Sequence, residues 1–319
     1  MKKILTALLL VVMVLTAAGC GDKTSSDLIK VGIVNNPPSE SGYRAANVKD
    51  FERVFTKENG YEAKTYYSKI LADQISAAKQ FITDGVDYLL ISAADVKGWD
   101  EVLSSAKEAG VGVLLFDRMI DCDPDLYVAA VVSDMAKQGN DAVAWLKKQN
   151  LSEYNVVHIQ GAMASDAQIG RTAALDAEFA AGTMKKVIQQ TASWDEAEAK
   201  KIVESVINSG AKFNVVYAEN DGMARGAVAA LDEAGIPHGG ASEGGVVIMG
   251  FDCNDWAMRA VLEGKWNYDG QCSPFQADVL DQIIKGGAYS GPKIIISEEK
   301  GFDYATITEE DITNYGLVE

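Results

Sequence analysis

The chain has 319 residues, 48% hydrophobic and 24% charged, the balance of an ordinary folded protein rather than a disordered one. Its net charge of −17 leaves no electrostatic basis for binding nucleic acid or an anionic membrane surface. Only two histidines are present, His158 and His238, too few for a histidine-rich metal centre or two-histidine catalysis.

The first segment reads as a leader. Lys2 and Lys3 precede an apolar run from Ile4 to Leu15, too short for a membrane span, and small residues lead up to Cys20. The pattern predicts a signal peptide over residues 1–19. Thr16-Ala17-Ala18-Gly19-Cys20 resembles the lipobox of bacterial lipoproteins, although Ala17 stands where Leu is commonest. That resemblance implies cleavage before Cys20 and lipid on its sulfur; the plain alternative is a soluble-secretion signal that happens to end at a cysteine. Loss of Lys2 and Lys3 takes the net charge from −17 to −19. Residues 20–28 then form a polar tether. The remaining 300 residues amount to about two domains at roughly 150 residues each.

Beyond the tether, β-rich runs alternate with helical patterns. Strands are expected at Ile29 to Val34, Ala63 to Tyr67, Tyr88 to Ser92 and Val111 to Asp117. Helices are expected at about 42–57, at Leu71 to Ile82, where apolar residues recur every three or four positions, and at about 99–109, stopping at Gly110. The alternation then restarts. Strands are expected at Asn155 to Gln160, Lys186 to Gln190, Asn214 to Glu219 and Gly245 to Asp252, with helices at about 134–149, 167–181, 195–209 and 221–234. Several strands are apolar throughout, as in parallel sheets covered on both faces. The fold class is therefore α/β: two doubly wound parallel-sheet lobes.

Ligands of such sheets bind beyond the carboxyl ends of the strands. Those positions hold Asn35, Asn36 and the stretch Ser39 to Arg44 after the first strand, Ser92 after the third, and Asp117-Arg118 after the fourth. In the second half they hold Gln160-Gly161 leading to Arg171, then Trp194, Asn220-Asp221 and Asp252. Carboxylates accept from hydroxyls, and guanidiniums donate in a fixed fork. Aromatic faces cover the C–H side of a sugar ring. The set suits a small, uncharged, polyhydroxylated molecule and calls for no metal, cofactor or nucleophile. Each residue also has a plain structural reading. Asp117-Arg118 reads as a loop ion pair, Asp221 and Asp252 as helix caps, Arg171 as a solvated helix residue, and Tyr43, Trp99 and Trp194 as core aromatics. Cys122, Cys253 and Cys272 lack CxxC spacing and read as buried free thiols, with a Cys253–Cys272 bridge as the alternative.

Over nearly the whole mature chain the sequence resembles the type I periplasmic sugar-binding proteins, the solute receptors of ABC transporters, and within them the galactofuranose-binding branch. The stretches that carry the resemblance are Ser39 to Ala46, Gly98-Trp99, Val102-Leu103, Ala106 to Ala109 with Asp117-Arg118, Asn155 to Gly161 with Arg171, Tyr217 to Met223, and Gly250 to Asp252. The resemblance implies two lobes joined by a three-crossing hinge. The first takes residues 29–132 plus 273–297 and the second 133–272 plus 298–319, with the ligand in the cleft between them. It implies that Glu40, Ser41, Gly42, Tyr43 and Arg44 form the first-lobe rim, and that Asp117 and Arg118 bind hydroxyls. Arg171, Asn220 and Asp252 would close from the second lobe, with Trp194 stacking and Gln271 near the last crossing. Glu219 departs from the His common before Asn-Asp, and Tyr43 from a commoner Trp; the acidic Glu219 bears on pyranose against furanose selection.

The implied function is an exported receptor, not an enzyme. A monomer, tethered to the membrane only by its lipid, captures a monosaccharide of galactofuranose, galactose or arabinose type and delivers it to an ABC permease. The same module used for chemosensing is one alternative. A LacI-type regulator is another, opposed by the leader standing in place of a DNA-binding helix-turn-helix. A nucleotide-dependent enzyme is opposed by the first strand, which leads into NNPPSESG with neither G-x-G-x-x-G nor G-x-x-x-x-G-K-[ST].

Overall fold

The structure, a computed structural model, describes residues 28–240 and 244–318. The expectations for the signal peptide, Cys20 and nearly all of the tether lie outside the described residues.

The chain opens with β1 (Ile29–Asn35), α1 (Gly42–Val54), β2 (Tyr61–Tyr67), α2 (Leu71–Thr83), β3 (Tyr88–Ile91), α3 (Asp100–Glu108), β4 (Gly112–Asp117) and β5 (Ala129–Val132). It continues with α4 (Met135–Lys148), β6 (Asn155–Gln160), α5 (Asp166–Ala181), β7 (Lys185–Thr191), α6 (Glu196–Asn208), β8 (Val215–Ala218), α7 (Asp221–Glu233), β9 (Val247–Asp252), α8 (Asp255–Leu262) and β10 (Tyr268–Gln271). α9 (Ala277–Lys285), β11 (Ile294–Ile296), β12 (Gly301–Asp303) and α10 (Glu309–Tyr315) complete it.

These strands build two six-stranded sheets, ordered β2-β1-β3-β4-β5-β11 and β7-β6-β8-β9-β10-β12. Every pairing is parallel except β10 with β12. Burial explains why the strands read as continuous apolar runs. Along β6, Val157 and Ile159 face one core cluster while Val156 faces another on the opposite side of the sheet. Along β1, Val31 and Ile33 face one cluster and Val34 the other. The two-fold alternation of strand side chains thus feeds two cores per sheet.

Helix starts follow local chemistry. Ser41, Asp134, Ser165, Asp195 and Asn220 each accept a backbone N–H of the first turn, opening α1, α4, α5, α6 and α7. Asn220, not Asp221, caps α7; Asp221 is the first helical residue, and its carboxylate turns inward. Trp99 is fully buried, its indole N–H donating to the Asp95 carbonyl.

The chain passes between the sheets three times: from β5 into α4, from β10 into α9, and from β11 into β12. One carboxylate ties the three crossings together. Glu299, in the third, accepts from the Ser133 hydroxyl of the first at 2.6 Å and from the Ser273 backbone N–H of the second at 2.8 Å, with Gln138 Nε2 at 2.6 Å. Burial raises its pKa against these hydrogen bonds.

Candidate functional site

The carboxyl ends of both sheets face each other across the interlobe cleft. Its walls are Glu40, Ser41, Tyr43, Asp117 and Arg118 on one side and Arg171, Trp194, Asn220 and Asp252 on the other, with Met135, Ala167 and Cys272 completing the lining. The lobes are drawn together: Met119 N–H donates to Asp166 Oδ2 at 2.9 Å, and Val96 N–H to the Ala164 carbonyl at 3.1 Å. In this closed arrangement the cleft holds about 20 Å³, close to the room one water needs. A larger ligand therefore enters by parting the lobes.

The first-lobe wall is a charge network built at the ends of β1, β3 and β4. Arg44 has no exposed surface. Its Nη2 donates to Asp117 Oδ2 at 2.5 Å and its Nη1 to Asn35 Oδ1 at 2.9 Å. Asp117 also accepts from the Tyr43 hydroxyl at 2.8 Å and the Ser92 hydroxyl at 2.7 Å. Burial works to raise the Asp117 pKa, but the Arg44 and Arg118 charges and these hydrogen bonds outweigh it and hold the carboxyl below its ordinary range. Arg118 Nη2 donates to Glu40 Oε2 at 3.2 Å, and its Nε makes no hydrogen bond although Asp117 Oδ2 lies 3.5 Å away.

The second-lobe wall depends on close helix packing. A Cβ on Gly170 would lie 2.6 Å from the Met135 carbonyl carbon, so glycine there lets α5 approach α4. Arg171, the next residue, reaches Gln138 Oε1 with Nε at 2.9 Å, Asp252 Oδ1 with Nη2 at 3.3 Å, and the Glu219 carbonyl with Nη1. Asp252 is pushed up to about 7, first by burial and further by Asp117 across the cleft, with Arg171 opposing. Trp194 lies flat on Gly161: a Cβ there would come within 1.9 Å of the indole Cη2. The Arg118 guanidinium sits 6.0 Å from the indole centroid, spanning the two lobes, and Trp194 Nε1 is buried without a partner.

Behind Asp252 lies a pair of buried acids. Asp221 Oδ2 accepts from Asn254 N–H at 2.8 Å and from Asn254 Nδ2 at 3.0 Å, while Asp269 Oδ1 accepts from Cys253 N–H at 3.2 Å. Their remaining oxygens, Asp221 Oδ1 and Asp269 Oδ2, are buried without a hydrogen-bond partner. Burial, then mutual repulsion, raises Asp221 well above its ordinary value, and burial pushes Asp269 up to about 7. Asp221 therefore keeps its proton to higher pH than an exposed carboxyl does. Between them the two acids pin the Asp252-Cys253-Asn254 turn, whose φ values at Asp252 and Cys253 are 112° and 62°.

Nine of the twelve candidate residues line the cleft. Three do not. Gly42 lines a groove at the cleft mouth. Arg44 lies behind Asp117, because that carboxylate and Glu40 absorb its guanidinium. Gln271 lines a separate hinge-side cavity with Asp134 and Glu299; the next residue, Cys272, reaches the cleft instead. The acidic Glu219 also turns away, taking His158 Nε2, Gly161 N–H and the Thr172 hydroxyl. It is not among the residues that line the cleft. Cys253 and Cys272 are buried free thiols, so the alternative bridge is not formed. Nothing in the residue types of Met135, Ala167 and Cys272 signals a cleft.

Two α/β lobes closing a polar cleft at their strand ends define a bilobal solute-binding protein. The chain belongs to the periplasmic binding protein family: the family's domain model matches residues 31–283. It is 31% identical over 260 residues to the galactofuranose-binding protein YtfQ of Escherichia coli (strain K12), covering 78% of this chain and 80% of that one. A solved galactofuranose-binding protein superposes with a TM-score of 0.81 at 28% identity, covering 90% of this chain and 99% of that one. A Mycobacterium smegmatis protein in complex with β-D-fucofuranose does so with a TM-score of 0.79 at 29% identity, covering 87% and 92%.

Proposed function

We propose that this protein is an extracytoplasmic receptor that captures a neutral monosaccharide by lobe closure and hands it to an ABC permease. The ligand is an aldose of galactofuranose, galactose or arabinose type. Cys20, lipidated after removal of residues 1–19, anchors the protein to the outer face of the membrane, and residues 20–28 are the tether.

The observation that carries this reading is the opposition of two charge networks across one closing cleft. Asp117 and Arg118 face Arg171 and Asp252, each held by neighbours on its own lobe. Hydroxyls that take the free lone pairs and N–H groups of both walls at once do so only when the two lobes come together on the ligand. That difference in contacts is what lets a ligand drive closure. The buried, unpartnered Trp194 Nε1 and Arg118 Nε supply two donors at the same place. The furanose preference rests on the likeness to the galactofuranose-binding relative and to the two furanose-binding structures.

A thermal-shift and calorimetric series tests the reading: galactofuranose, galactose, arabinose, ribose and glucose, with glucose 6-phosphate and galacturonate as charged controls. A ligand that binds only the folded form raises the melting temperature. Epimers are expected to differ by roughly ten- to a hundredfold, since a buried polar group stripped of its partner costs about 1–3 kcal/mol. Tight binding of a charged control with no response to any neutral sugar refutes the reading.

A further inference from the structure

Closure shuts the cleft to about 20 Å³ but leaves a second space open at its mouth. That groove, of about 360 Å³, adjoins the cleft and shares Glu40, Ser41, Trp194 and Asn220 with it. Its size falls within the range of small-molecule sites, roughly 300–1,000 Å³. Both lobes form it. Pro38 to Gly42 and Lys69 come from the first; Trp194 to Glu196, Arg225 and Trp256 come from the second.

The lining repeats the chemistry of the cleft. The Arg225 guanidinium lies 4.0 Å above the Trp256 ring centroid. Glu196 Oε2 holds it there, accepting from Nε at 2.9 Å and Nη2 at 2.6 Å. Nη1 makes no hydrogen bond to a described residue, leaving donors directed elsewhere than Glu196. Lys69, exposed on the opposite lobe, makes no hydrogen bond or ion pair among the described residues. Glu196 and Asp195 keep lone pairs for hydroxyls. A planar cation fixed on an aromatic ring, with carboxylates beside it and a free ammonium opposite, suits a second polyhydroxylated ring.

We infer that the groove is a second sugar subsite, so that the protein takes a glycoside or disaccharide whose terminal residue lies in the cleft and whose next residue lies between Lys69 and Arg225. This inference rests on the sugar-binding reading of the cleft. The seam between Glu40-Ser41 and Trp194-Asn220 is the passage for the glycosidic link. A second ring that contacts both lobes adds to the preference for the closed state, for the same reason that the first one does.

Calorimetry on the mature protein with galactofuranose, its methyl β-glycoside and the β-linked galactofuranose disaccharide tests the inference. The disaccharide is expected to bind at least as tightly as the monosaccharide. Arg225→Ala and Lys69→Ala, both surface changes, are expected to weaken the disaccharide about tenfold and to leave the monosaccharide within twofold. Far-ultraviolet circular dichroism and melting temperature check that the variants fold. If the monosaccharide binds and the disaccharide binds a hundredfold more weakly, or if both variants leave the disaccharide unchanged, the subsite is wrong and the cleft reading survives. If no sugar in this set or in the monosaccharide series binds, the cleft reading fails and the subsite falls with it.

Discussion

The buried acid pair predicts an inverse dependence of stability on pH that one substitution removes. Asp221 holds its proton in the fold at pH values where the unfolded chain, with a carboxyl near 3.8, has released it. A raised folded pKa gives stability that is complete below the unfolded value and lost as pH rises toward the folded one. One proton bound only by the native state gives a slope of about −1.4 kcal/mol per pH unit. Asp221→Asn keeps the geometry. Its carbonyl takes the two bonds from Asn254, and its amide has no proton to lose. Between pH 5 and 7, a window above the unfolded value, the wild type is expected to lose stability relative to Asp221→Asn, by at most about 1.4 kcal/mol per pH unit for each proton that only the native state holds. Asp252, Asp166, Glu299 and Asp269, also raised by burial, titrate in both proteins, so the difference between the two profiles reports the change made at Asp221. Urea unfolding at pH 5, 6 and 7 measures it, since a change in midpoint at constant m reports stability alone. Parallel pH profiles for the two proteins would refute the raised Asp221 carboxyl.

Three further outcomes are expected. Asp117→Ala and Asp252→Ala should each weaken sugar binding by roughly 2–5 kcal/mol by calorimetry, because the buried arginine is left without its counter-charge; unchanged affinity in both removes the cleft as the site. Gly161→Ala should displace the Trp194 indole, costing about 1–3 kcal/mol by overpacking and weakening the sugar although no ligand contact is deleted; wild-type melting temperature and affinity would show that the ring does not need Gly161. Cys20→Ala should move the protein from the membrane fraction to the soluble one in its native host, and a soluble wild type beginning at another residue would exclude the anchor.

The lobes were legible wherever apolar runs were long. β1, β3, β4, β6, β8 and β9 lie within a residue or two of their expected bounds, because strands covered on both faces must be apolar throughout. β5 (AAVV) is short and β10 (YDGQ) carries a buried Asp and a Gly, so neither stands out from a loop. No element beyond β9 was read from the sequence. Pairings between β5 and β11 or β10 and β12 join segments more than 30 residues apart, and no local pattern announces them. At the site, the strand-end rule found most of the cleft but not which side of a carboxylate faces out. Arg44 and Glu219 sit where ligand contacts are expected, yet each is used up inward, by Asp117 and by His158, Gly161 and Thr172. Asp221 shows the converse. Beside a real cap its carboxylate reads as a cap too, and only Asn254, 33 positions later, reveals its partner.

Backbone strain supplies a reason for the depth of polar scaffolding behind so small a cleft. Asp117, Trp194 and Asp252 have φ values of 64°, 70° and 112°, a region that side chains other than glycine's rarely occupy. Such positions cost of order 1–3 kcal/mol each and persist only where their surroundings over-determine them. Those surroundings are on hand in each case. Arg44, Ser92 and Tyr43 grip the Asp117 carboxylate; Gly161 beds the Trp194 indole; Asp221 and Asp269 pin the turn after Asp252. At Asp117 and Asp252, the last residues of β4 and β9, an extended backbone would carry the side chain on along the sheet, whereas the left-handed residue turns it across the strand end into the cleft. The groups that hold the strain are thus the ones that fix the ligand-facing atoms before a ligand arrives. A site held in this way distinguishes sugars by where their hydroxyls stand, because its donors and acceptors cannot follow a misplaced one.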